Sequence, residues 1–365
     1  MNADARFMAL ALTLGRRSEG RCWPNPAVGC VIVREGRIVG RGWTQPGGRP
    51  HAEVVALAEA GAAARGATAY VTLEPCAHHG KTPPCCDALI AAGLARVVAA
   101  TGDSDPRVAG QGFARLEAAG IAVERAAAPE AGAEAHRGFF RRNAAGRPWL
   151  TLKLATSLDG RIATASGHSQ WITGPEARRA VHGLRARHDA IMVGAGTARL
   201  DDPSLTVRGL GIAHDPVRIV VSRRADIPPQ GQLGQTARAV PVWICHGPEA
   251  GAAQRSAWEE AGARLVPVPV TQGRVDPAAL LRALGQAGLT SIFCEGGGTL
   301  AASLLQARVV DEFIGFTGGL AIGAEGRPAI GALGLADLTE ATRFRLMESR
   351  ALGGDVMHRW RAEDG

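Results

Sequence analysis

The 365-residue chain is poor in aromatic side chains: Phe, Trp and Tyr make up 4% of it, and tyrosine occurs once. A protein that stacks bases on aromatic platforms, as RNA and single-strand binders do, is not expected from such a composition. Lys and Arg outnumber Asp and Glu by 41 to 34, but the basic residues are dispersed. They suit a solvated Arg-rich surface or small anionic substrates better than a nucleic-acid stripe. Apolar runs are short as well. None approaches the roughly 18 residues of a membrane span, and Met1 to Gly20 lacks a signal-peptide layout, because its apolar residues are helically spaced and end at Arg16-Arg17. A cytoplasmic protein is expected. The seven cysteines (22, 30, 76, 85, 86, 245 and 294) are odd in number and follow no framework spacing, so no disulfide set is implied. No internal repeat or low-complexity tract is present. What remains, 46% hydrophobic and 21% charged residues, is enough for two cores.

The most informative segment is His51-Ala52-Glu53, followed by Pro75-Cys76 and, after eight further residues, Cys85. One imidazole and two thiolates are three soft zinc ligands, which leaves the fourth tetrahedral position to water and marks a catalytic site. Glu53, two residues from a ligand, can carry a proton from that water to a departing amine. Alone, His-x-Glu is weak and two cysteines read as buried small hydrophobes. Their setting strengthens the reading. His51 follows Pro50 and opens an Ala-rich helix (53 to 64), so it sits at the helix entrance, where ring and carboxylate can face one ion. Tyr70 to Leu73 forms a strand leading into Glu74-Pro75-Cys76. Thr82-Pro83-Pro84 reads as a helix start with Thr82 as cap, placing Cys85 at an N-terminus that favours thiolate. Cys86 is a spare structural thiol, since a fourth thiolate would close the site to water.

From residue 27 to 101 strands alternate with helices: hairpin strands 28–33 and 37–40 around Glu35-Gly36, the His51 helix, the Tyr70 strand, the Cys85 helix and strand 96–100. Residues 1–125 are therefore expected to form a zinc-dependent α/β domain. The Ala-, Gly-, Arg- and Pro-rich stretch 126–147 reads as a connector. Residues 148–365 carry strands at 149–155, 190–193, 217–222, 241–245, 264–268, 291–294 and 312–316, with helices between several of them, which predicts a mostly parallel, doubly wound sheet.

Within that second half, strand 291–294 runs into Glu295-Gly296-Gly297-Gly298-Thr299 and an apolar helix. Such glycines let backbone approach a phosphate at a helix N-terminus, although a tight structural turn reads the same way. Strand 217–221 ends at Ser222-Arg223-Arg224, suited to a 2′-phosphate, and no acidic residue is expected to compete there for a free ribose 2′-hydroxyl, so NADPH is favoured over NADH. Two solvated arginines are the alternative. Asp201-Asp202-Pro203-Ser204-Leu205-Thr206-Val207-Arg208 is a polar turn, and Lys153 and Asp159-Gly160 close the first strand of this half, the end where open α/β sheets place ligands.

Taken together, Pro24-Asn25-Pro26-Ala27-Val28-Gly29, His51-Ala52-Glu53-Val54, Thr72-Leu73-Glu74-Pro75-Cys76, His78-His79-Gly80-Lys81-Thr82-Pro83-Pro84-Cys85, residues 153–160, Gln170-Trp171-Ile172-Thr173-Gly174, residues 201–206 and Glu295 to Leu300 closely resemble the bifunctional riboflavin-biosynthesis deaminase/reductase family, over about residues 5 to 360. The long Cys76 to Cys85 interval sets the chain apart from cytidine and tRNA-adenosine deaminases. The resemblance implies a cytidine-deaminase-like zinc domain followed by a dihydrofolate-reductase-like one, with zinc (one per chain) and NADPH as cofactors. It implies zinc-dependent hydrolysis of the 2-amino group of 2,5-diamino-6-(5-phosphoribosylamino)pyrimidin-4-one, then NADPH reduction of the ribosyl group of 5-amino-6-(5-phosphoribosylamino)uracil to ribityl.

Matched motifs carry over His51, Cys76 and Cys85 as metal ligands, Glu53 as proton shuttle, and Asn25, His78, Lys81, Thr82 and Asp103 as first-substrate contacts. Ala155, Trp171, Thr197, Asp201, Ser222, Gly297 and Gly298 resemble NADPH contacts, and Ser169, Arg185, Leu205, Arg208 and Glu295 contacts to the second substrate. Arg185 and Arg208, permanent cations, are the expected phosphate clamps. Lys153 is a proton source or polarising group, or else a salt-bridged strand-end lysine. The chain departs from the family at Thr44, where His is frequent, and at Asp103-Ser104-Asp105-Pro106, where Asp-Pro-Asn-Pro is. Expected partners are phosphorylated pyrimidines and further copies of the chain in a homo-oligomer, with neither nucleic acid nor membrane. Two rivals are a nucleobase or tRNA deaminase with a degenerate second domain, and a zinc-stabilised binding module without chemistry. The first conflicts with the intact second-half motifs, the second needs a fourth protein ligand and no use for Glu53.

Overall fold

Glu35 and Gly36 both hold positive φ, 52° and 74°, the requirement of a two-residue hairpin turn. They join β1 (Gly29–Arg34) to β2 (Arg37–Trp43) in the computed structural model, which describes residues 3–105 and 108–363. Pro106, part of one departure noted above, lies outside the described residues. Two compact units emerge, Met1–Gly146 and Arg147–Gly365.

The first unit adds β3 (Thr68–Val71), β4 (Arg96–Ala99) and β5 (Ala122–Glu124), giving one sheet in the order β2-β1-β3-β4-β5. Its hairpin side is antiparallel, and β3, β4 and β5 run parallel. Alternate residues split between the two faces. Val31, Val33, Tyr70 and Val98 pack on α1 (Ala3–Gly15). Cys30, Ile32, Ala69, Val71 and Val97 face α2 (Ala52–Ala60), α3 (Cys85–Ala91) and α4 (Gln111–Ala118). Glycine at 40 and 42 is what brings α2 onto β2, since a Cβ at either position would overlap the carbonyl of Ala56 or Ala52. The stretch expected as a connector instead forms α5 (Pro129–Ala135) and α6 (Arg137–Ala145) within this unit, with α6 ending at Gly146 in the left-handed region.

In the second unit the elements run β6 (Trp149–Thr156), β7 (Arg161–Ala163), α7 (Pro175–Arg185), β8 (Ala190–Gly194), α8 (Ala195–Asp201), β9 (Val217–Val221), α9 (Gln232–Gln235), β10 (Val242–His246), α10 (Ala252–Ala261), β11 (Arg264–Pro267), the short ribbon β12 (Val270–Thr271) and β13 (Arg274–Val275), then α11 (Pro277–Gln286), β14 (Ser291–Cys294), α12 (Gly298–Gln306), β15 (Glu312–Gly318), β16 (Arg327–Pro328), β17 (Phe344–Leu352) and β18 (Asp355–Ala362). Nine strands form one sheet, β11-β10-β9-β8-β14-β6-β15-β18-β17. The seven strands expected from the sequence are its parallel part, and β18 and β17 close it as an antiparallel hairpin. Strand order reverses where β14 enters between β8 and β6, the kind of switch point at which such sheets bind ligands. No helix among the described residues is long and apolar enough to cross a membrane.

Candidate active sites

In the first unit His51 is the N-cap residue of α2, with extended φ/ψ of −70° and 160°, so its ring leaves the helix axis while Glu53 stays in the first turn. Its Nδ1 lies 3.3 Å from Cys85 Sγ and 3.8 Å from Cys76 Sγ. The three donor atoms fall within 4.8 Å of one another, a set that suits one tetrahedral zinc with a position to spare. Cys85 opens α3, whose N-cap is Pro84 rather than Thr82, and no side-chain cap is used. Cys76 Sγ takes that place by accepting the Cys85 N–H at 3.3 Å. Hydrogen bonding from the Cys85 thiol, then from His51 and the Cys85 N–H, lowers the Cys76 pKa against the opposing effect of burial, which readies a thiolate. Cys86 is buried against the carbonyls of Pro75 and Gly112, with its thiol pushed up to about 12 by desolvation.

Glu53 is 4% exposed, and burial raises its carboxyl pKa despite the nearby His51. It lines a cavity of about 270 Å³ together with Asn25, His51, Cys76, His78 and Asp103. Asn25 Nδ2 donates to Gly48 O at 2.8 Å and stands 3.3 Å from His51 Nε2. Desolvation raises Asp103 to about 6. Lys81 and Thr82 are exposed and do not line the cavity. Several lining residues were given no role in the sequence reading: Glu74, quoted there only within its motif, and Arg49, with Phe139, Arg142 and Asn143 of α6. Glu74 has a structural task, its buried carboxylate accepting the backbone N–H of Asp103, Gly110, Gly112 and Phe113. It ties the loop bearing Asp103 to the Pro75-Cys76 segment. A Glu directly before Pro-Cys was the available signal.

Two neighbouring cavities of the second unit are both lined in part by Ile162. One, of about 630 Å³, gathers Thr197, Ser222, Arg223, Arg224, Gly297 and Gly298. Thr197 Oγ1 accepts the Gly297 N–H at 3.0 Å, which locks the glycine turn to the start of α8. Ser222 donates to Asp226 at 2.8 Å, and Arg223 and Arg224 reach Glu249 at 3.2 and 3.7 Å. Carboxylates thus stand beside this strand end, contrary to the expectation from its immediate sequence.

The other cavity, of about 710 Å³, gathers the rest: Ala155, Trp171 and Asp201 from the expected cofactor set, and Ser169, Arg185, Leu205, Arg208, Glu295 and Lys153. Arg185 grips Glu295 with two hydrogen bonds, Nε to Oε1 at 2.6 Å and Nη2 to Oε2 at 3.1 Å, and Lys153 Nζ lies 3.7 Å from the same carboxylate. One buried anion therefore faces two cations. Burial lowers the Lys153 pKa more than Glu295 restores it, while the cations keep Glu295 ionised against its own desolvation. Arg208 is exposed and makes no side-chain ion pair with any described residue. Trp171 is exposed under the guanidinium of Arg178, 4.5 Å from the ring centre. His182 also lines this wall and accepts the Arg208 N–H at 3.1 Å. It was legible as the residue three positions before Arg185 on one helix face.

Comparison with known proteins accords with both halves. Residues 1–101 match the cytidine and deoxycytidylate deaminase zinc-binding region, and 148–358 match the RibD C-terminal domain. The riboflavin biosynthesis protein RibD of Escherichia coli is 44% identical, covering 97% of this chain and 98% of its own. The chain belongs to the RibD family. That of Aquifex aeolicus is 38% identical with 97% of both chains covered. Among solved structures, Acinetobacter baumannii RibD superposes with a TM-score of 0.87 at 35% identity, and a Thermotoga maritima diaminohydroxyphosphoribosylaminopyrimidine deaminase/5-amino-6-(5-phosphoribosylamino)uracil reductase with 0.86 at 31%, each over 99% of both chains. RibD membership makes this a bifunctional enzyme of riboflavin biosynthesis, a zinc-dependent deaminase followed by an NADPH-dependent reductase.

Proposed function

We propose that the first unit hydrolyses the 2-amino group of 2,5-diamino-6-(5-phosphoribosylamino)pyrimidin-4-one and that the second reduces the ribosyl group of the resulting 5-amino-6-(5-phosphoribosylamino)uracil. The observation behind the first step is the convergence of the His51, Cys76 and Cys85 donor atoms, with His51 and Cys76 lining the cavity that Glu53 also lines. A zinc ion held by those three side chains supplies the Lewis acidity that makes water nucleophilic near neutral pH. Glu53 accepts the proton from the attacking water and delivers it to the amine, so that ammonia leaves and a carbonyl remains. Asn25, His78 and Asp103 orient the ring from the same walls.

For the second step NADPH supplies the hydride, and C1 of the opened ribosyl group accepts it. The Thr197–Gly297 turn and the Ser222-Arg223-Arg224 strand end line the cofactor cavity, and the Lys153–Glu295–Arg185 cluster lines its neighbour. Arg208 is the clamp for the substrate phosphate there, because Arg185 is already neutralised by Glu295. The reading extends to a homo-oligomer working in the cytoplasm on phosphorylated pyrimidines, with neither nucleic acid nor membrane as partner. Seven free cysteines suit a reducing compartment. A two-stage assay tests the whole: ammonia release from the diaminopyrimidine, then oxidation of NADPH on its product. Ammonia release without later NADPH oxidation would sink the reductase assignment, and light scattering of the purified chain tests the oligomer.

A further inference from the structure

A phosphorylated substrate brings a dianion into the deaminase cavity, and something must meet it. The carried-over contacts do not supply a cation there, because Lys81 and Thr82 are exposed and lie outside the lining. Thr44, which replaces a histidine frequent in the family, is buried, with its hydroxyl committed to Pro26 O and to the Val28 N–H, both at 3.0 Å. Among the described residues the arginines lining the cavity are Arg49 and Arg142, and Arg142 is not without partners.

Arg49 differs. Its side chain makes no hydrogen bond or ion pair with any described residue, and its Nε is enclosed without a partner. The Nδ1 of His78, on the same wall, is enclosed and unpartnered too. The two side chains flank one glycine: a Cβ placed on Gly80 would lie 3.5 Å from Arg49 Nη2 and 3.8 Å from His78 Nε2. This wall thus holds unused donors beside a glycine that leaves room. The backbone under Arg49 is fixed, since the preceding Gly48 carbonyl takes the Asn25 amide and His51 follows two residues later. No ion pair joins Arg49 to a carboxylate among the described residues, and two of the lining carboxylates are engaged elsewhere. Glu74 is saturated by four backbone N–H groups, and Asp103 is engaged with the Asp105 N–H.

We propose that Arg49 holds the phosphate monoester of the pyrimidine nucleotide in the deaminase cavity and makes this half of the enzyme selective for the phosphorylated substrate. The inference rests on the deaminase reaction assigned above. A guanidinium meets a phosphate with two parallel charge-assisted hydrogen bonds, a geometry lysine cannot copy.

The test is ammonia release by the full, zinc-loaded chain from the phosphorylated diaminopyrimidine and from its dephosphorylated counterpart. Arg49→Met should raise KM for the phosphorylated compound by roughly tenfold to a hundredfold, the range of a hydrogen bond to a charged group. The KM for the dephosphorylated compound should change by less than about twofold, and Arg49→Lys should recover part of the loss. Inorganic phosphate should compete in the wild type and not in Arg49→Met. An unchanged KM for the phosphorylated compound, or an equal rise for both, overturns the proposal while leaving the reaction in place. A wild type that releases no ammonia from either compound overturns the reaction and the proposal with it. If Arg49→Met loses zinc, Arg49→Lys decides by the same comparison, with NADPH-dependent turnover of the deaminated substrate as the check that the chain is folded.

Discussion

Replacing Glu53 with Gln is the sharpest perturbation of the deaminase half, because it removes a titratable proton and little else. Glu53 sits in the first turn of α2, 4% exposed, and is not one of the three donors clustered within 4.8 Å. Burial already pushes its carboxyl toward the neutral form, so an amide of the same shape enters a pocket suited to an uncharged group. The fold and the metal set should survive. Loss of a positioned acid-base group costs about two to four orders of magnitude in rate, or roughly 3 to 5 kcal/mol of barrier. Ammonia release should therefore fall by that factor while zinc stays at about one per chain, measured by elemental analysis on the same sample. Reduction of the already deaminated substrate should be unaffected and reports on the integrity of the chain. A near-wild-type rate would refute the proton-shuttle role, and a zinc-free variant would make Glu53 a ligand or a support of one.

Cys76→Ser should lose both zinc and deamination while NADPH-dependent reduction persists; a folded variant lacking both activities would show that the units do not act independently. Replacing Arg223 and Arg224 together with Ala should raise KM for NADPH by roughly tenfold to a hundredfold and hardly change that for NADH. A wild type that uses both cofactors equally would refute the preference, and a preference surviving the double replacement would put the phosphate elsewhere. His136 is fully buried with Nε2 on Thr72, and desolvation pushes its pKa down to about 4 from 6.5. Its folded pKa lies below its unfolded one, so the stability it contributes is complete above about pH 6.5 and is lost as pH falls toward 4, amounting to about 3 kcal/mol. Urea unfolding of the first unit at pH 7 and pH 5 should show that slope in the wild type and a smaller one in His136→Gln; equal slopes would assign the acid sensitivity to other groups.

The parallel strands of the second unit were legible because each is a short apolar run bounded by turn residues, such as Val217–Val221 and Val242–His246, all of whose residues are buried. The closing hairpin was not. Phe344–Leu352 has six exposed residues and three half-buried ones, and its charges blur any alternation. At a sheet edge burial no longer writes a period of two into the sequence. Composition misled at 126–147, where Ala, Arg and Gly concealed α5 and α6. Pro129 in the first turn of α5 and Gly146 after α6 are the terminal signals that a reading by residue type passes over. Those helices matter for function, since α6 supplies Phe139, Arg142 and Asn143 to the deaminase cavity.

The two sites differ in legibility for a reason rooted in topology. The zinc ligands lie within 35 residues on consecutive elements, so spacing alone nearly assembles them. The second site is collected by strand order. Cys294 of β14 is paired with Leu152 of β6, so the residues that follow each of them, Glu295 and Lys153, must stand side by side, although 142 positions separate them. The same rule explains part of the error about carboxylates at the Ser222-Arg223-Arg224 strand end. Strands β9 and β10 are parallel neighbours, with Val221 paired to Cys245, so whatever follows β10 lies beside whatever follows β9. Glu249, a few residues past β10, is thereby placed against Arg223 and Arg224. One carboxylate, Asp226, stood in the local sequence four residues past Ser222, and a second was supplied by the adjacent strand. In a parallel sheet, then, the chemistry of a strand end is set by two segments that sequence distance does not connect, and only the strand order says which two.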